Sequence, residues 1–390
     1  MNGKQAVSVA VIPNGFQVPY IVELVRGLSS TGVRIDFLGS NLYECLRDVP
    51  GVNFFNMRGA HDHNASWADK VWRNLQYYAR IFSYVRRTQV RIFHVQWLRF
   101  AFFDGVLILL LLRSLGKKVV YTAHNILPHG KDRMYNRLVF SFIYRIADVI
   151  FVHALFLKER LVRMFAIEEG KIHVIKHGVY NVLDDPLLTK DVCRQKLKID
   201  TGAQVMLFFG NIARYKGTGL LLEAFSSCRR ELPSLRMIMA GRVAGDFRKE
   251  FERSLDIHGA KDILLRTGRE YVPDEEVELF FKAADIVMLP YEEGSQSGVL
   301  FLAYAYGRPV IASDVGGFSE DVQAGQTGMI FKSGDQQDLV CKIKAWFVDY
   351  HQQDHGREEA IKAFAQREYS WKDIGSELSR IYQKLSGISE

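Results

Sequence analysis

Apolar residues arrive along this chain in short runs, and each run is followed by a stretch with helical spacing. The first run is AVSVAVIP at residues 6–13, followed by NGFQVPYIVELVRGLSSTG, where Gly15 precedes a helix and Gly32 closes it. A buried strand, a turn and a helix are the expected reading. The alternation returns in VRIDFLG, VRIFHVQWL, KKVVYTAHN, ADVIFVH and KIHVIKHG. Runs that are apolar throughout suit strands buried on both faces, as in a parallel sheet covered by helices.

A polar, turn-rich interval, NVLDDPLLTKDVCRQKLKIDTGAQ, interrupts the rhythm before it restarts with VMLFFGNIARYKG, LRMIMAG, DILLRTG, ADIVMLP, PVIASD and GMIF. The pattern predicts an α/β protein of two Rossmann-like, doubly wound lobes. Their boundaries fall at 1–183 and 184–370. The tail YSWKDIGSELSRIYQKL places Ile374, Leu378 and Ile381 on one helical face, which predicts a helix over 371–390 packing across the lobes. Ligands of such sheets bind outside the carboxyl ends of the strands, so a cleft between facing lobes is the expected site.

Composition narrows the class. A chain of 390 residues with 48% hydrophobic and 24% charged residues folds as two domains rather than remaining disordered. The longest apolar run, Val106–Leu112, is too short to span a bilayer. The N-terminus enters its first strand without a basic head, apolar core and cleavage site, so a cytoplasmic location is expected. Cys45, Cys193, Cys228 and Cys341 lack the paired spacing of a zinc or redox site. Charge is uneven: residues 51–150 hold 15 Lys/Arg against 5 Asp/Glu. One lobe therefore suits an anionic partner.

Two strand ends carry candidate chemistry. In GSQSGVLFLAYAYGRPVIASDVGG, Ser295, Gln296, Ser297, Gly298 and Val299 stand at the mouth of a helix. Free backbone N–H groups there suit a phosphate, and small residues allow close approach. Ordinary serine capping explains this loop equally well. The second is FFGNIARYKG, in which a strand ends at Gly210 and Asn211 and a loop carries Arg214 and Lys216. Two cations at a strand's carboxyl end can neutralise a diphosphate. The chain lacks G-x-x-x-x-G-K-[ST] and has no G-x-G-x-x-G after its first strand, which argues against nucleoside triphosphate and dinucleotide chemistry.

GNIARYKG, YVPDEEVELFFKAADIVMLPY and SGVLFLAYAYGRPVIASDVGGFSEDV together resemble the C-terminal lobe of retaining glycosyltransferases of GT-B architecture in family 4, the glycosyl transferases group 1; VVYTAHNILPHG resembles their N-terminal lobe. The resemblance is strongest from Leu207 to Phe331. It implies transfer of a sugar from a UDP- or GDP-linked donor, without a metal and with no cofactor beyond that donor. The acceptor is a saccharide or lipid-linked oligosaccharide in cell-surface polysaccharide synthesis. It implies further that Lys216 and Arg214 hold the diphosphate, that His124 meets the donor sugar with Asn125 beside it, that Gly15 approaches donor and acceptor, and that the backbone at Glu270, Tyr271 and Val272 brackets the base.

In one respect the sequence departs from the family pattern. Many relatives carry two glutamates eight positions apart, one at the sugar and one at the ribose, and here those positions hold Gly294 and Leu302. Glu293, one residue earlier, is then the candidate carboxylate, with Glu292 beside it. An inactive nucleotide-sugar-binding homologue and a GT-B-type sugar nucleotide epimerase are the alternatives. Finally, VWRNLQYYARIFSYVRRTQVR spaces Arg73, Arg80 and Arg87 seven residues apart, with Tyr77, Tyr84 and Arg91 at helical intervals. A basic, aromatic helix face of this kind predicts peripheral contact with an anionic inner membrane surface. Nucleic acid is not expected, because no nucleic-acid-binding module accompanies the stripe.

Overall fold

A computed structural model describes residues 7–14, 17–60, 66–128, 133–258, 260–268, 271–350 and 356–387. The chain divides into two compact units, Met1–Gly178 with Tyr369–Glu390, and Val179–Glu368. The first is built on a seven-stranded sheet: β1 (Ser8–Ile12), β2 (Arg34–Gly39), β3 (Val52–Asn56), β4 (Ile92–Val95), β5 (Lys118–Thr122), β6 (Val149–Val152) and β7 (Ile172–Val174). Their order is β3-β2-β1-β4-β5-β6-β7, and every pairing is parallel. The second unit carries β8 (Gln204–Phe209), β9 (Leu235–Arg242), β10 (Ile263–Gly268), β11 (Ile286–Leu289), β12 (Val310–Ser313) and β13 (Gly328–Phe331), in the order β10-β9-β8-β11-β12-β13, again all parallel. Both sheets reverse direction once, beside β1 and beside β8, as a doubly wound sheet does.

Each run assigned to the alternating pattern contains a strand, whereas Val106–Leu112 is helical, and β4, β6, β11 and β12 are buried at each position. Right-handed crossovers fix the layers. The helix Val18–Ser29 runs against the strand order and covers one face of the first sheet. The helices Trp67–Arg87, Ile108–Ser114, Met134–Ile146 and Leu155–Phe165 follow connections in the other direction and cover the opposite face.

The C-terminal helix Trp371–Ser386, expected across both lobes, is part of the first unit and lies against Val18–Ser29. The reason is a pair of glycines. A Cβ on Gly27 would overlap the Trp371 carbonyl, and a Cβ on Gly375 would overlap the Gly27 carbonyl. The two backbones thus pass in direct contact, with Ile374, Leu378 and Ile381 buried along the seam.

The stripe read on the helix Trp67–Arg87 divides in the structure: Arg73, Arg80 and Arg87 are exposed, while Tyr77 and Tyr84 turn toward the body of the unit. Tyr77 is 1% exposed; its hydroxyl donates to Asn14 at 2.8 Å and the Arg58 guanidinium lies over its ring at 3.7 Å. Tyr84 donates to Asp36, and Arg80 donates to the Met57 carbonyl at 3.2 Å. These tyrosines serve packing and hydrogen bonding rather than a lipid surface.

Candidate functional site

In the second unit, β8 gives way to Gly210 and Asn211, then to a single turn, Arg214–Lys216, before the helix Thr218–Arg229. Gly217 ends the turn at a φ of +64. A Cβ there would occupy the space of the Pro290 carbonyl, so glycine is what lets this loop lie against the segment after β11. Two hydrogen bonds join them, from the Glu292 and Glu293 amides to the Tyr215 carbonyl at 2.9 and 3.3 Å. From the other side the Gly317 amide donates to the Ser295 carbonyl at 3.0 Å, and the Ser313 hydroxyl donates to the Tyr291 carbonyl at 2.7 Å. The segment 291–297 is thereby held before the helix Gly298–Ala305 begins.

Ser297 caps that helix: its Oγ accepts from the Val299 amide at 3.3 Å and lies 2.7 Å from the Tyr291 hydroxyl. The Tyr291 ring is the platform for Lys216, whose Nζ stands 3.5 Å from the ring centroid. Burial holds the Lys216 ammonium at a pKa of about 8, below its ordinary 10.5. Among the described residues no carboxylate lies within ion-pair distance of it. Asn211 Oδ1, Thr218 Oγ1 and Gln296 Oε1 are buried without hydrogen-bond partners. A buried polar atom left unpaired costs about 1–3 kcal/mol unless a ligand satisfies it. All three can accept from ligand hydroxyls, and the Thr218 hydroxyl can also donate.

In the first unit the carboxyl ends of β4 to β7 carry Gln96, His124, His153 and His177, while His94 sits within β4. The His124 ring stacks on Trp97 with centroids 3.6 Å apart and planes 3° from parallel. Tyr20 meets it edge-on at 5.1 Å. Burial drives His124 well below its usual pKa and holds His94 and His177 at about 3 and His153 at about 4. The ring nitrogens are therefore neutral and their roles are ordered. His153 Nδ1 lies 2.8 Å from the Ile175 carbonyl and must donate to it, which leaves Nε2 to accept from His124 Nδ1 at 3.1 Å. Neutral His124 then offers only a lone pair at Nε2. The Gln96 carboxamide spans 3.2 Å to that atom and 2.9 Å to His94 Nε2, so its NH2 must face His124 and its oxygen His94. Tyr382 on the C-terminal helix completes the chain, 2.6 Å from His94 Nδ1.

Known proteins align with both units. Residues 17–180 match the family described as Glycosyltransferase Family 4, and residues 189–363 match Glycosyl transferases group 1. The chain belongs to the family 4 glycosyltransferases. It is 30% identical over 206 residues to a D-inositol 3-phosphate glycosyltransferase of Pseudarthrobacter chlorophenolicus, covering 52% of this chain and 48% of that protein. It is 29% identical over 182 residues to the lipopolysaccharide core biosynthesis mannosyltransferase LpsB of Rhizobium meliloti, covering 45% and 50%. The chain thus spans about half the length of the curated relatives it matches. Sucrose-phosphate synthase from Thermosynechococcus elongatus superposes with a TM-score of 0.75 at 16% identity, covering 99% of this chain and all of that one. Anabaena HepE, solved with UDP and glucose, gives 0.74 at 16% identity, covering 97% and all of that one. At these identities the likeness establishes the GT-B fold.

In this family member Lys216 and Ser297 meet at Tyr291, and a Cβ at Gly210 would fall 3.5 Å from Val299 Cγ2. The structure does not gather all the expected residues. Arg214 is exposed and paired with Glu250. Tyr271 and Val272 follow β10, two strands from β8, and the Arg242 guanidinium covers the Tyr271 ring at 4.6 Å. Asn125 is half-buried beside His124, and the Glu292 and Glu293 side chains are exposed. Gly15 and Glu270 lie outside the described residues. Sequence reasoning missed Tyr291 and the partners of His124. Their signal was positional: FVH, KHG and FHVQW place histidine or glutamine at the close of apolar runs, in the register of TAHN.

Proposed function

We propose that this chain transfers a sugar, with retention at the anomeric carbon, from a UDP- or GDP-linked donor to a saccharide acceptor on a lipid carrier in cell-surface polysaccharide synthesis. The observation that carries the reading is Lys216: a half-buried cation on a tyrosine face, with no carboxylate partner among the described residues, beside a serine-capped helix start. Such a cation is under-compensated until an anion arrives. A diphosphate satisfies Lys216 beside the positive end of the helix dipole, and the charge that develops on it as the sugar departs is stabilised at the same place. Asn211 and Gln296 would then accept hydrogen bonds from donor hydroxyls. His124, neutral and stacked, gives the first unit an uncharged surface for a saccharide. The second unit holds the donor and the first the acceptor. Support comes from relatives whose names record UDP-glucose as a bound molecule and lipopolysaccharide core mannosyl transfer as an activity.

Thermal shift against a panel of UDP- and GDP-sugars, followed by product analysis with and without saccharide acceptors, tests this directly. One nucleotide class should stabilise the protein, and turnover should require an acceptor. If no nucleotide sugar shifts the melt, the reading is wrong. Conversion of the donor without an acceptor would make the protein an epimerase.

The displaced carboxylate gives a second expectation. If Glu293 serves the donor sugar, Glu293→Gln lowers turnover by about tenfold or more, the scale of a hydrogen bond to a charged group, while Glu292→Gln leaves it nearly unchanged. Both side chains are exposed, so neither variant should alter the melting temperature. Equal rates for the two variants would remove the carboxylate from the reaction.

A further inference from the structure

The face of the first unit covered by the helices Trp67–Arg87, Ile108–Ser114 and Met134–Ile146 is one continuous layer. Tyr78 on the first donates to Asp104 at 3.0 Å and its ring lies 5.9 Å from that of Phe103. Gly105 in turn lies so close to Ile143 that a Cβ would overlap it. Each helix follows the carboxyl end of a strand, so the first turns of all three gather at the end of the sheet that carries Gln96, His124 and His153.

At that end apolar side chains stand bare on the first turns of Trp67–Arg87 and Met134–Ile146 and in the turn Phe103–Leu107 that leads into Ile108–Ser114. Ser66–Arg73 are exposed at every position, and burial in that helix begins only at Tyr77. Trp67 is 80% exposed and Trp72 61%, with Leu75 one turn further on. Phe102, Phe103 and Leu107 add a second exposed apolar row. Met134, Tyr135 and Leu138 add a third, at 73%, 60% and 64%. Monomeric soluble proteins rarely leave so much contiguous apolar surface in water.

The charges among these rows are basic. Lys70 and Arg73 stand between and beside the tryptophans, Arg99 precedes the second row, and Arg133 and Arg137 border the third. Of the described acids on these segments, Asp104 is buried and accepts from the Arg99 and Phe100 amides at 2.7 and 2.9 Å, and Asp69, though exposed, is bonded to Ser66. Tryptophan and tyrosine beside lysine and arginine is the chemistry of the headgroup boundary of an anionic bilayer. Among the described residues no helix is long and apolar enough to cross a membrane, so the contact is along the surface.

We propose that this three-helix face docks on the headgroup layer of an anionic bilayer, with its tryptophans and the Met134–Leu138 row inserted below the phosphates. The surface shares Arg73 with the stripe read from sequence but not Tyr77 and Tyr84, which pack inward. Docking in this way sets the carboxyl ends of β4 to β6 next to the lipid, where a lipid-borne saccharide presents itself. That last step alone rests on the transferase reading.

The full chain is mixed with vesicles of phosphatidylcholine alone or with phosphatidylglycerol, and binding is read by sedimentation and by tryptophan emission. Expected are binding to the anionic vesicles, a blue shift, and quenching by lipids brominated near the headgroup. Two double variants on separate helices, Trp67→Gln with Trp72→Gln, and Met134→Gln with Leu138→Gln, should each lower lipid partition by about tenfold or more. Both should keep the wild-type melting temperature and its shift with nucleotide sugar, so that loss of membrane binding is read separately from loss of donor binding. Wild-type protein that ignores anionic vesicles, or variants that bind as well as wild type, would overturn the proposal. So would a dimer, formed without lipid and lost in both variants, because the face would then be an interface between copies.

Discussion

Replacing Lys216 with methionine is expected to raise the melting temperature of the ligand-free protein and to abolish its further stabilisation by a nucleotide sugar. In the folded chain the ammonium has a pKa of about 8 against an ordinary 10.5, and burial is the largest cause. Near neutral pH the site therefore holds a charge that it disfavours relative to water, by about 1–3 kcal/mol. Methionine removes the charge and keeps the apolar stem on Tyr291. Between pH 8 and 10.5 the unfolded chain keeps the proton that the folded chain releases, so wild-type stability rises with pH across that window. The variant should lose that rise. A diphosphate reverses the balance, because it supplies the missing anion, so turnover should fall by about 10²-fold or more. Differential scanning fluorimetry from pH 7 to 10, with and without donor, reads both effects. A variant that melts no higher than wild type and still gains stability from donor would show that Lys216 is structural.

The sheets were legible because most of their strands, β4, β6, β11 and β12 at every position, are buried on both faces and therefore continuous in hydrophobicity. β3 was not. VNFFN alternates half-buried and exposed positions at the edge of the first sheet, and its asparagines carry turn propensity. The C-terminal helix was legible as amphipathic, but periodicity names a face and not its partner. That choice was made by Gly27 and Gly375, residues far apart in sequence whose closeness only the fold reveals. On Trp67–Arg87 spacing alone could not separate the residue types: the arginines stay exposed, while Tyr77 and Tyr84 turn to partners on neighbouring elements.

At the site, the loops and Lys216 could be read because polar residues at the close of apolar strands are out of place unless they do something there. The histidine chain could not, since each member alone is more often a satisfied core histidine than a functional one. Three strands must be laid in parallel before Gln96, His124 and His153 fall within hydrogen-bond reach. Arg214 shows the converse. Its position in the sequence matches that of a diphosphate ligand, yet its neighbour Glu250 comes from the helix Arg248–His258, beyond what a strand-end motif can report.

Gly217→Ala should destabilise the protein and weaken donor binding together, whereas Gly219→Ala, two residues on, should do neither. At Gly217 the backbone is left-handed, with φ at +64, and a Cβ would overlap the Pro290 carbonyl. The strain of an L-residue there costs about 1–2 kcal/mol. Relief of the overlap demands that the loop Arg214–Lys216 withdraw from the segment after β11, which adds the cost of an overpacked contact, about 1–3 kcal/mol. That withdrawal breaks the bonds from the Glu292 and Glu293 amides to Tyr215 and lifts Lys216 from Tyr291. Gly219 is helical with nothing within 4 Å of its Cβ position, so alanine there gains helix propensity of about 1 kcal/mol. Urea unfolding should separate the two variants in midpoint, one below wild type and one at or above it, and donor titration should place only Gly217→Ala at weaker affinity. The contrast with Lys216→Met is the sharper check. That variant loses the donor while gaining stability; Gly217→Ala loses both, because here the glycine holds the loop in register and the lysine holds the charge. If Gly217→Ala kept wild-type donor affinity despite its lower stability, the approach of the two loops would matter to folding and not to the anion site.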